Sequence, residues 1–229
     1  MYLNLKAHRG MLSRVLGMYE PAKTDVVLKL LKPGSTFIDV GANIGDFSLL
    51  AASVIGNEGK VLAFEPEAAN CQWVKRNIEL NGHKNVEVFQ LALSDSDGEA
   101  PLYLGGRCDY HSLLKDQRER EAGAITVKTR TLDSLLEERG QFRVDMIKVD
   151  VEGAELEVLK GARETLRRNP HVVLLLELHP LMGVSPAEAC DFLRHLGFSL
   201  FQMDSQFTPA RVDENLSEVL ACRHPPASG

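Results

Sequence analysis

The sequence predicts a doubly wound α/β fold, in which a mostly parallel sheet lies between two layers of helices. Short β-rich segments alternate with segments of helical periodicity along most of the 229 residues. The segments 144–149 and 172–176 are almost continuously aliphatic, which is typical of strands that are covered on both faces. Because no linker interrupts this pattern, we expect a single domain.

The individual elements follow from periodicity and from turn residues. Pro33-Gly34 ends the first predicted helix, and Asn81-Gly82 is a typical helix C-cap. The last two strands lie too close together for a helical crossover, so we expect them to form an antiparallel pair. The predicted elements are helix 22–31, strand 36–40, helix 46–55, strand 60–65, helix 67–80, strand 86–93, strand 144–149, helix 154–166, strand 172–176, strand 199–203 and strand 219–222.

One interval breaks the alternation. Residues 95–130 form a polar insertion, in which the segments 101–104 and 125–130 are predicted to pair as strands over the sheet edge. Insertions of this kind often carry specificity, so Tyr110 and His111 are predicted to contact the substrate. Residues 1–20 are expected to form an N-terminal extension or lid, 21–224 the domain, and 225–229 a frayed tail.

Composition limits the class of protein and its partners. With 44% hydrophobic and 25% charged residues, the chain is neither a fibre, nor mostly disordered, nor a membrane bundle. A net charge of −6 argues against binding to nucleic acid, and no segment approaches the roughly 20 apolar residues of a membrane span. The four cysteines show no CxxC spacing, which suits the reducing cytoplasm.

A glycine-containing turn between the first strand and its helix indicates a ligand site. Gly41 and Gly45 let the backbone bend tightly, although many such turns use glycine only for the bend. A dinucleotide fingerprint that begins at Gly41 would need glycine where the chain has Asn43 and Asp46. Because Asp46 puts negative charge where a phosphate would lie, the turn favours a ligand with an ammonium or sulfonium group, which Asp39 could attract.

Glu65 ends the second strand, 20 residues beyond Gly45. A carboxylate at this point can accept two hydrogen bonds from a ribose diol; the alternative is a surface glutamate beside a turn proline. Pro66 stiffens the loop that follows, and Ala92, at the predicted end of the third strand, could line an adenine slot. A turn that tolerates a cation, together with a ribose-binding carboxylate, predicts S-adenosylmethionine (SAM) rather than NAD.

Several motifs are familiar in their order along the chain. They are Tyr19-Glu20-Pro21, residues 37–45 (FIDVGANIG), residues 63–66 (AFEP), residues 77–82 (NIELNG), Thr131-Leu132-Asp133 and residues 147–155 (IKVDVEGAE). With these motifs the chain resembles the FkbM-like family of SAM-dependent methyltransferases.

The resemblance implies a Rossmann-like class I methyltransferase sheet of seven strands, the last of them antiparallel. It also implies O-methylation of a hydroxyl on a sugar, glycan or natural product, with Asp39, Gly41, Asn43 and Gly45 at the methionine moiety and Glu65 at the ribose. The full predicted cofactor set is Asp39, Gly41, Ala42, Asn43, Gly45, Phe47, Glu65, Pro66, Ala92 and Asp150.

The fourth long strand carries the predicted catalytic residues. Strand alternation would place Lys148, Asp150 and Glu152 on one side, with Asp150 toward the donor's ammonium or the acceptor and Glu152 toward the acceptor. An attacking hydroxyl needs a base, and the candidates are Glu152, Asp150, His179 at the end of the strand 172–176 and His111 in the insertion. The alternatives are that the two carboxylates cap the next helix and that His179 is a local turn partner. Glu177 and these three residues could gather a metal, but the spacing does not demand one, so none is expected.

The expected activity is that of an O-methyltransferase. The alternatives are a non-catalytic SAM-binding partner subunit and an NAD-linked oxidoreductase, the latter disfavoured by Asn43 and Asp46. The expected partners are a small-molecule or glycan acceptor and a second copy in a homodimer, with neither nucleic acid nor membrane among them.

Overall fold

A computed structural model describes residues 19–104, 111–113, 123–180, 185–204 and 206–225. The described strands are β1 Thr36–Val40, β2 Lys60–Phe64, β3 Val86–Phe89, β4 Ala92–Leu93, β5 Gly98–Leu104, β6 His111–Ser112, β7 Ala124–Arg130, β8 Met146–Val149, β9 Val173–Glu177, β10 Ser199–Phe201 and β11 Glu218–Cys222. The described helices are α1 Pro21–Leu30, α2 Asp46–Ile55, α3 Ala68–Asn81, α4 Leu132–Glu138, α5 Glu155–Gly161, α6 Arg163–Arg168 and α7 Pro186–His195.

The main sheet confirms the predicted doubly wound topology. Its seven strands have the order β10-β11-β9-β8-β1-β2-β3. Strands β3, β2, β1, β8 and β9 pair in parallel, and β11 runs antiparallel to both β9 and β10. The carboxyl ends of the parallel strands therefore meet along one side of the sheet, which we call the carboxyl edge. Doubly wound folds bind their ligands at this edge.

The core lies on both faces of the sheet. Every residue of β1 is buried, and its successive side chains point to opposite faces. Phe37 packs on the face that α1 and α2 cover, while Ile38 and Val40 pack on the face that α4 to α7 cover. This two-sided burial is the physical reason why the strands are almost continuously aliphatic.

The prediction of one continuous strand over 86–93 was wrong. The chain leaves the main sheet after Phe89, and β4 pairs with β7 in a second sheet of order β4-β7-β5-β6. Ala92 is buried there against Leu102 and Val127, so the apolar run serves two sheets in turn. The strand pair expected within the insertion is confirmed as β5 and β7.

The helices show three further differences from the prediction. The helix expected over 154–166 is divided into α5 and α6 at Ala162. Helices α4 and α7 were not predicted from the sequence. Thr131 caps α4 by accepting a hydrogen bond from the backbone of Ser134 (3.0 Å), and Pro186 stands at the first turn of α7; both are recognisable helix-start signals.

Some expectations fall on residues that the structure does not describe. Residues 1–18 of the expected extension, residues 226–229 of the expected tail, Tyr110 and Cys108 lie outside the described residues. Cys71, Cys190 and Cys222 are buried free thiols. In the described part of the chain, no helix combines the length and the apolar character that a bilayer span requires.

Gly161 allows the helical layer to approach the second sheet. A Cβ at this position would lie 1.9 Å from the carbonyl oxygen of Ser94, a backbone atom that cannot move aside. In a helix without this contact, Gly→Ala would be stabilising by about 1 kcal/mol. We expect Gly161→Ala to lower the free energy of unfolding by about 1–3 kcal/mol instead, because of overpacking.

Urea denaturation checks this expectation, with Lys160→Ala as the control. Lys160 is exposed on the same helix, so its replacement should leave the free energy of unfolding within about 0.5 kcal/mol. An unchanged or higher urea midpoint for Gly161→Ala would contradict the close packing of α5 on the segment after β4.

Candidate active site

Two loops meet at the carboxyl edge. The glycine loop (residues 41–45) follows β1, and the acidic turn (residues 150–154) follows β8. Gly41 has φ +77°, and a Cβ there would lie 1.8 Å from the carbonyl oxygen of Asp150. Gly45 has φ +93° and precedes α2. Glycine is therefore required at position 41 by the approach of a neighbouring backbone, in addition to any ligand.

Glu65 joins the glycine loop to the segment that precedes α3. It is 5% exposed, and its carboxylate accepts hydrogen bonds from the backbone N–H of Asn43 (2.8 Å) and of Glu67 (2.9 Å). Burial raises the pKa of Glu65 to about 8, and the two backbone donors oppose this rise. The alternative of a surface glutamate is thus wrong. Because each carboxylate oxygen has a further lone pair, the carboxylate can still accept hydrogen bonds from a ligand.

Asp39 lies beneath the glycine loop. It is fully buried, accepts a hydrogen bond from the Ser48 hydroxyl (2.6 Å) and lies 3.7 Å from the ammonium of Lys148. Burial raises the pKa of Asp39, while Lys148 and Ser48 oppose the rise. The contacts of Asp39 in this structure are therefore with the protein, and an interaction with a ligand's ammonium stays a prediction.

Lys148 is a functional candidate to which the sequence analysis assigned no role. Its buried ammonium lies 3.1 Å from Asp150, 3.4 Å from the carbonyl oxygen of Gly41 and 5.4 Å from the centre of the Phe47 ring. Burial alone would lower the pKa of Lys148, but Asp150 and Asp39 raise it. A lysine within the aliphatic run of β8 was the sequence signal, because buried lysine requires such partners.

Three predicted cofactor contacts are packed in the core. Phe47 lies beside Tyr19, with ring centroids 6.4 Å apart, and Ala42 belongs to an apolar cluster with Val74. Ala92 is buried within the second sheet, as part of β4, and does not lie at the end of β3, which Gln90 follows. Pro66 is half-buried directly after Glu65. Contact of these residues with a cofactor stays a prediction.

The strand alternation expected for residues 148–152 ends before Glu152. Strand β8 stops at Val149, and Glu152 has a left-handed backbone, with φ +53°. Its side chain is therefore oriented by a turn and not by the strand. The insertion stabilises this turn, because the hydroxyl of the buried Ser112 donates a hydrogen bond to the carbonyl oxygen of Glu152 (2.5 Å). His111 precedes Ser112 in β6 and pairs with Leu104 through its backbone.

Three predicted catalytic side chains come together at the ends of β8 and β9. The Nε2 atom of His179 lies 3.4 Å from Oε2 of Glu152 and 3.8 Å from Oδ1 of Asp150. One side-chain ligand atom from each residue lies within 4.8 Å of those of the other two. We call Asp150, Glu152 and His179 the acid–histidine cluster.

Further carboxylates surround the cluster. Oε1 of Glu155 lies 2.7 Å from Nδ1 of His179, and Oε1 of Glu177 lies 3.8 Å from its Nε2. Burial would lower the pKa of His179, but Glu155, Glu152 and Asp150 raise it to about 9. Burial raises the pKa of Glu152 to about 7, and Lys148 lowers that of Asp150 against the effect of burial.

The sequence left two alternatives for these residues, which are helix capping by Asp150 and Glu152 and a local turn contact of His179. Helix α5 begins at Glu155, and Ala154 precedes it without a side-chain cap. The carboxylate of Glu155 accepts a hydrogen bond from the backbone N–H of Gly153 (2.9 Å), and an electrostatic contribution of Asp150 and Glu152 to the helix N-terminus stays a prediction. His179 contacts Glu155, 24 positions earlier, which excludes the role of a purely local turn partner.

Comparisons with known proteins agree with this architecture. Residues 39–200 match the family described as the methyltransferase FkbM domain. Methyltransferase sdnD of Sordaria araneosa is 36% identical over 210 residues, which cover 77% of this chain and 79% of sdnD. The 2-O-methyltransferase NoeI of Sinorhizobium fredii is 29% identical over 160 residues, which cover 62% of this chain and 63% of NoeI.

Two further proteins extend the comparison. The hexuronic acid methyltransferase AglP of Haloferax volcanii is 29% identical over 182 residues, covering 77% of this chain and 66% of AglP. The crystal structure of SMU.1697c from Streptococcus mutans, in complex with SAH, matches with a TM-score of 0.55 at 12% identity, over 88% of this chain and 95% of that one. The structural likeness confirms the class I methyltransferase fold. By its matched domain and its relatives, the chain belongs to the FkbM family of methyltransferases.

Proposed function

We propose that this protein transfers a methyl group from SAM to a hydroxyl oxygen of a sugar, glycan or natural product. The observation that carries the proposal is the placement of Glu65, the glycine loop and the acid–histidine cluster along one carboxyl edge. Membership in a methyltransferase family supports the reaction class. The printed names of NoeI, a 2-O-methyltransferase, and AglP, a hexuronic acid methyltransferase, support a sugar hydroxyl as the acceptor.

The residues at the cofactor end fit SAM. The carboxylate of Glu65, fixed by two backbone donors, offers its remaining lone pairs to a ribose diol. The acidic surroundings of Asp150 and Glu152 suit the positive charges of SAM better than the phosphates of a dinucleotide. SAM, when bound, supplies an electrophilic methyl carbon.

Lys148 controls the charge that Asp150 presents to this site. A carboxylate held against the donor's sulfonium would stabilise the ground state more than the transition state, because the sulfonium charge fades during methyl transfer. The Lys148 ammonium, 3.1 Å from Asp150, reduces this effect. The donor's ammonium keeps its charge throughout the reaction, so Asp150 can bind that group without retarding methyl transfer.

The acid–histidine cluster is the acceptor end of the proposed site. Its side chains are partly exposed and can hold a hydroxyl and take up the proton that it loses as the new O–C bond forms. Holding the nucleophile at the correct distance and angle supplies much of the rate. The contact between Ser112 and Glu152 places the insertion beside this end, which suits the role of the insertion in acceptor selection.

The proposed reaction is tested by incubating the protein with methyl-labelled SAM and a panel of hydroxylated sugars, hexuronic acids and glycans. Mass spectrometry of the product should locate the label on a hydroxyl oxygen. A protein that binds no SAM in calorimetry would sink the proposal, and label transferred only to nitrogen or carbon would overturn its acceptor class.

The pH dependence of SAM affinity tests the role of Glu65. Its folded-state pKa is about 8, above the ordinary value, and a ribose diol needs the ionised carboxylate. We expect affinity to rise from pH 6 to pH 8, by at most about tenfold per pH unit. Glu65→Gln should bind at least about tenfold more weakly at pH 8 and lose this pH dependence.

Glu67→Gln is the matched control for Glu65. The same change in charge is then made two residues away, and a glutamine oxygen can still accept the helix-capping hydrogen bond from Asn70 that Glu67 accepts. This variant should keep the affinity at pH 8 and still show a rise with pH, with the midpoint at a somewhat lower pH because the charge of Glu67 helps to raise the pKa of Glu65. Equal weakening by the two variants, measured by titration calorimetry, would show a general charge effect and contradict ribose recognition by Glu65.

Removal of the cluster should separate chemistry from cofactor binding. We expect Glu152→Gln and His179→Gln each to lower kcat by about 10²–10⁴-fold, while SAM affinity stays close to that of the wild type. Single-turnover assays with the best acceptor measure the rate, and calorimetry measures SAM binding. Glu188→Gln, an exposed change on α7, is the control. Wild-type rates in both cluster variants would contradict the assignment.

A further inference from the structure

We propose that Asp150, Glu152 and His179 bind a divalent transition-metal ion of the Mn²⁺ or Zn²⁺ kind, which holds the acceptor hydroxyl. The spacing in the sequence did not predict a metal here, and it is the folded arrangement that suggests one. The role of the ion in catalysis rests on the proposed function, whereas its binding can be measured without SAM.

The distances within the cluster fit ligation of a single ion. With metal–ligand bonds of about 2.1 Å, two ligand atoms on one ion lie about 3.0 Å apart at right angles, about 3.4 Å apart in a tetrahedron and about 4.2 Å apart when opposite each other. Nε2 of His179 lies 3.4 Å from Glu152 and 3.8 Å from Asp150. These separations are within the range for ligands of one ion.

The histidine is already oriented as a metal ligand. Glu155 is fully buried, and its Oε1 lies 2.7 Å from Nδ1 of His179 while it also accepts the N–H of Gly153. With the Nδ1 proton held by this carboxylate, the proton that a metal ion displaces is the one on Nε2, whose lone pair then points toward Asp150 and Glu152. A carboxylate on the far nitrogen of a ligating histidine is a common feature of metal sites, where it fixes the tautomer and the ring orientation.

Among the described residues, little positive charge compensates the carboxylates of the cluster and of Glu155. Lys148 lies between Asp39 and Asp150, and Lys23 contacts Glu20, Glu177 and Glu218. Among the described residues, only the imidazole of His179 forms an ion pair with Glu152 or Glu155.

One buried oxygen adds to this shortage of positive charge. Oε2 of Glu155 is buried and, within the described part of the chain, has no hydrogen-bond partner. Two carboxylates that share one imidazole in a largely buried site are costly unless one of them takes up a proton or a further cation compensates them.

The ligand types indicate which ion would bind. Mg²⁺ and Ca²⁺ prefer oxygen ligands alone, whereas an imidazole with two carboxylates suits Mn²⁺ or Zn²⁺. Three protein ligands leave open positions on the ion, as in catalytic metal sites. The side chains of His179, Glu152 and Asp150 are 16%, 18% and 23% exposed, so an acceptor can reach these positions. A hydroxyl bound there would lose its proton more easily, to the oxygen of the Asp150 or Glu152 carboxylate that does not ligate the ion.

Binding is tested with Mn²⁺ and EDTA-treated, dialysed protein in the absence of SAM. The signal of free Mn²⁺ in electron paramagnetic resonance should fall with a stoichiometry of one ion per chain. Electron spin-echo modulation of the bound Mn²⁺ should show one nitrogen ligand. The nitrogen modulation should be absent in His179→Ala. We expect His179→Ala and Glu152→Gln each to weaken Mn²⁺ binding at least about 10-fold.

Glu218→Gln is the matched control. It removes one carboxylate from the same charged edge, where Glu218 contacts Lys23, but it leaves the cluster intact and should bind Mn²⁺ like the wild type. Thermal unfolding of each variant confirms that it is folded. A comparable loss of binding in all three variants would show diffuse attraction of cations and overturn the proposal.

The remaining outcomes separate this proposal from the proposed function. Chelation should lower methyl transfer at least tenfold, and Mn²⁺ or Zn²⁺ should restore it. Wild-type protein that binds neither ion below about 1 mM, or methyl transfer that chelation leaves unchanged, would overturn the metal site while methyl transfer itself stands. Absence of SAM binding would overturn the proposed function, whatever the result with Mn²⁺.

Discussion

A buried ammonium group connects the two loops on which the site depends. Lys148 contacts Asp39, Asp150 and the carbonyl oxygen of Gly41. Asp39 and Lys148 are register partners on adjacent strands, so the ion pair fixes the ends of β1 and β8 relative to each other. An unpaired buried charge costs several kcal/mol. Removal of any one of Lys148, Asp39 and Asp150 would therefore leave a buried charge without its partner. The close approach of Gly41 to the backbone of Asp150 follows the same geometry.

The carboxylates along the carboxyl edge have different partners, so the two ends of the edge differ in their electrostatic character. Glu65 accepts hydrogen bonds from the backbone N–H groups of Asn43 and Glu67 and from the side chain of Asn70, and these neutral donors orient its carboxylate. Near the centre, Lys148 and Lys23 compensate several carboxylates. At the far end, Glu152 and Glu155 share the imidazole of His179. Among the described residues, the edge therefore offers a fixed hydrogen-bond acceptor at one end and two carboxylates that share one imidazole at the other.

The second sheet brings the insertion to the acceptor end. After β3 the chain leaves the main sheet, and β4 pairs with β7. The β5–β6 pair then places Ser112 against the carbonyl oxygen of Glu152. Burial of Ala92 with Leu102 and Val127 holds this sheet together. The segment that differs from the regular alternation thus contacts the turn that carries a predicted catalytic carboxylate.

The sequence alone was sufficient for the doubly wound fold, the glycine loop and the strand-end position of Glu65, because aliphatic runs, glycines and spacing are local properties of the chain. Tertiary structure decided the rest. Asp39 faces Lys148 only because β1 and β8 are adjacent, and Glu152 is turned toward His179 by a left-handed backbone that alternation does not reveal. Glu155 and His179 meet because α5 begins beside the end of β9. Contacts between residues distant in the chain depend on which segments of backbone approach each other. The hydrophobic periodicity of a single segment does not determine its neighbours in the fold.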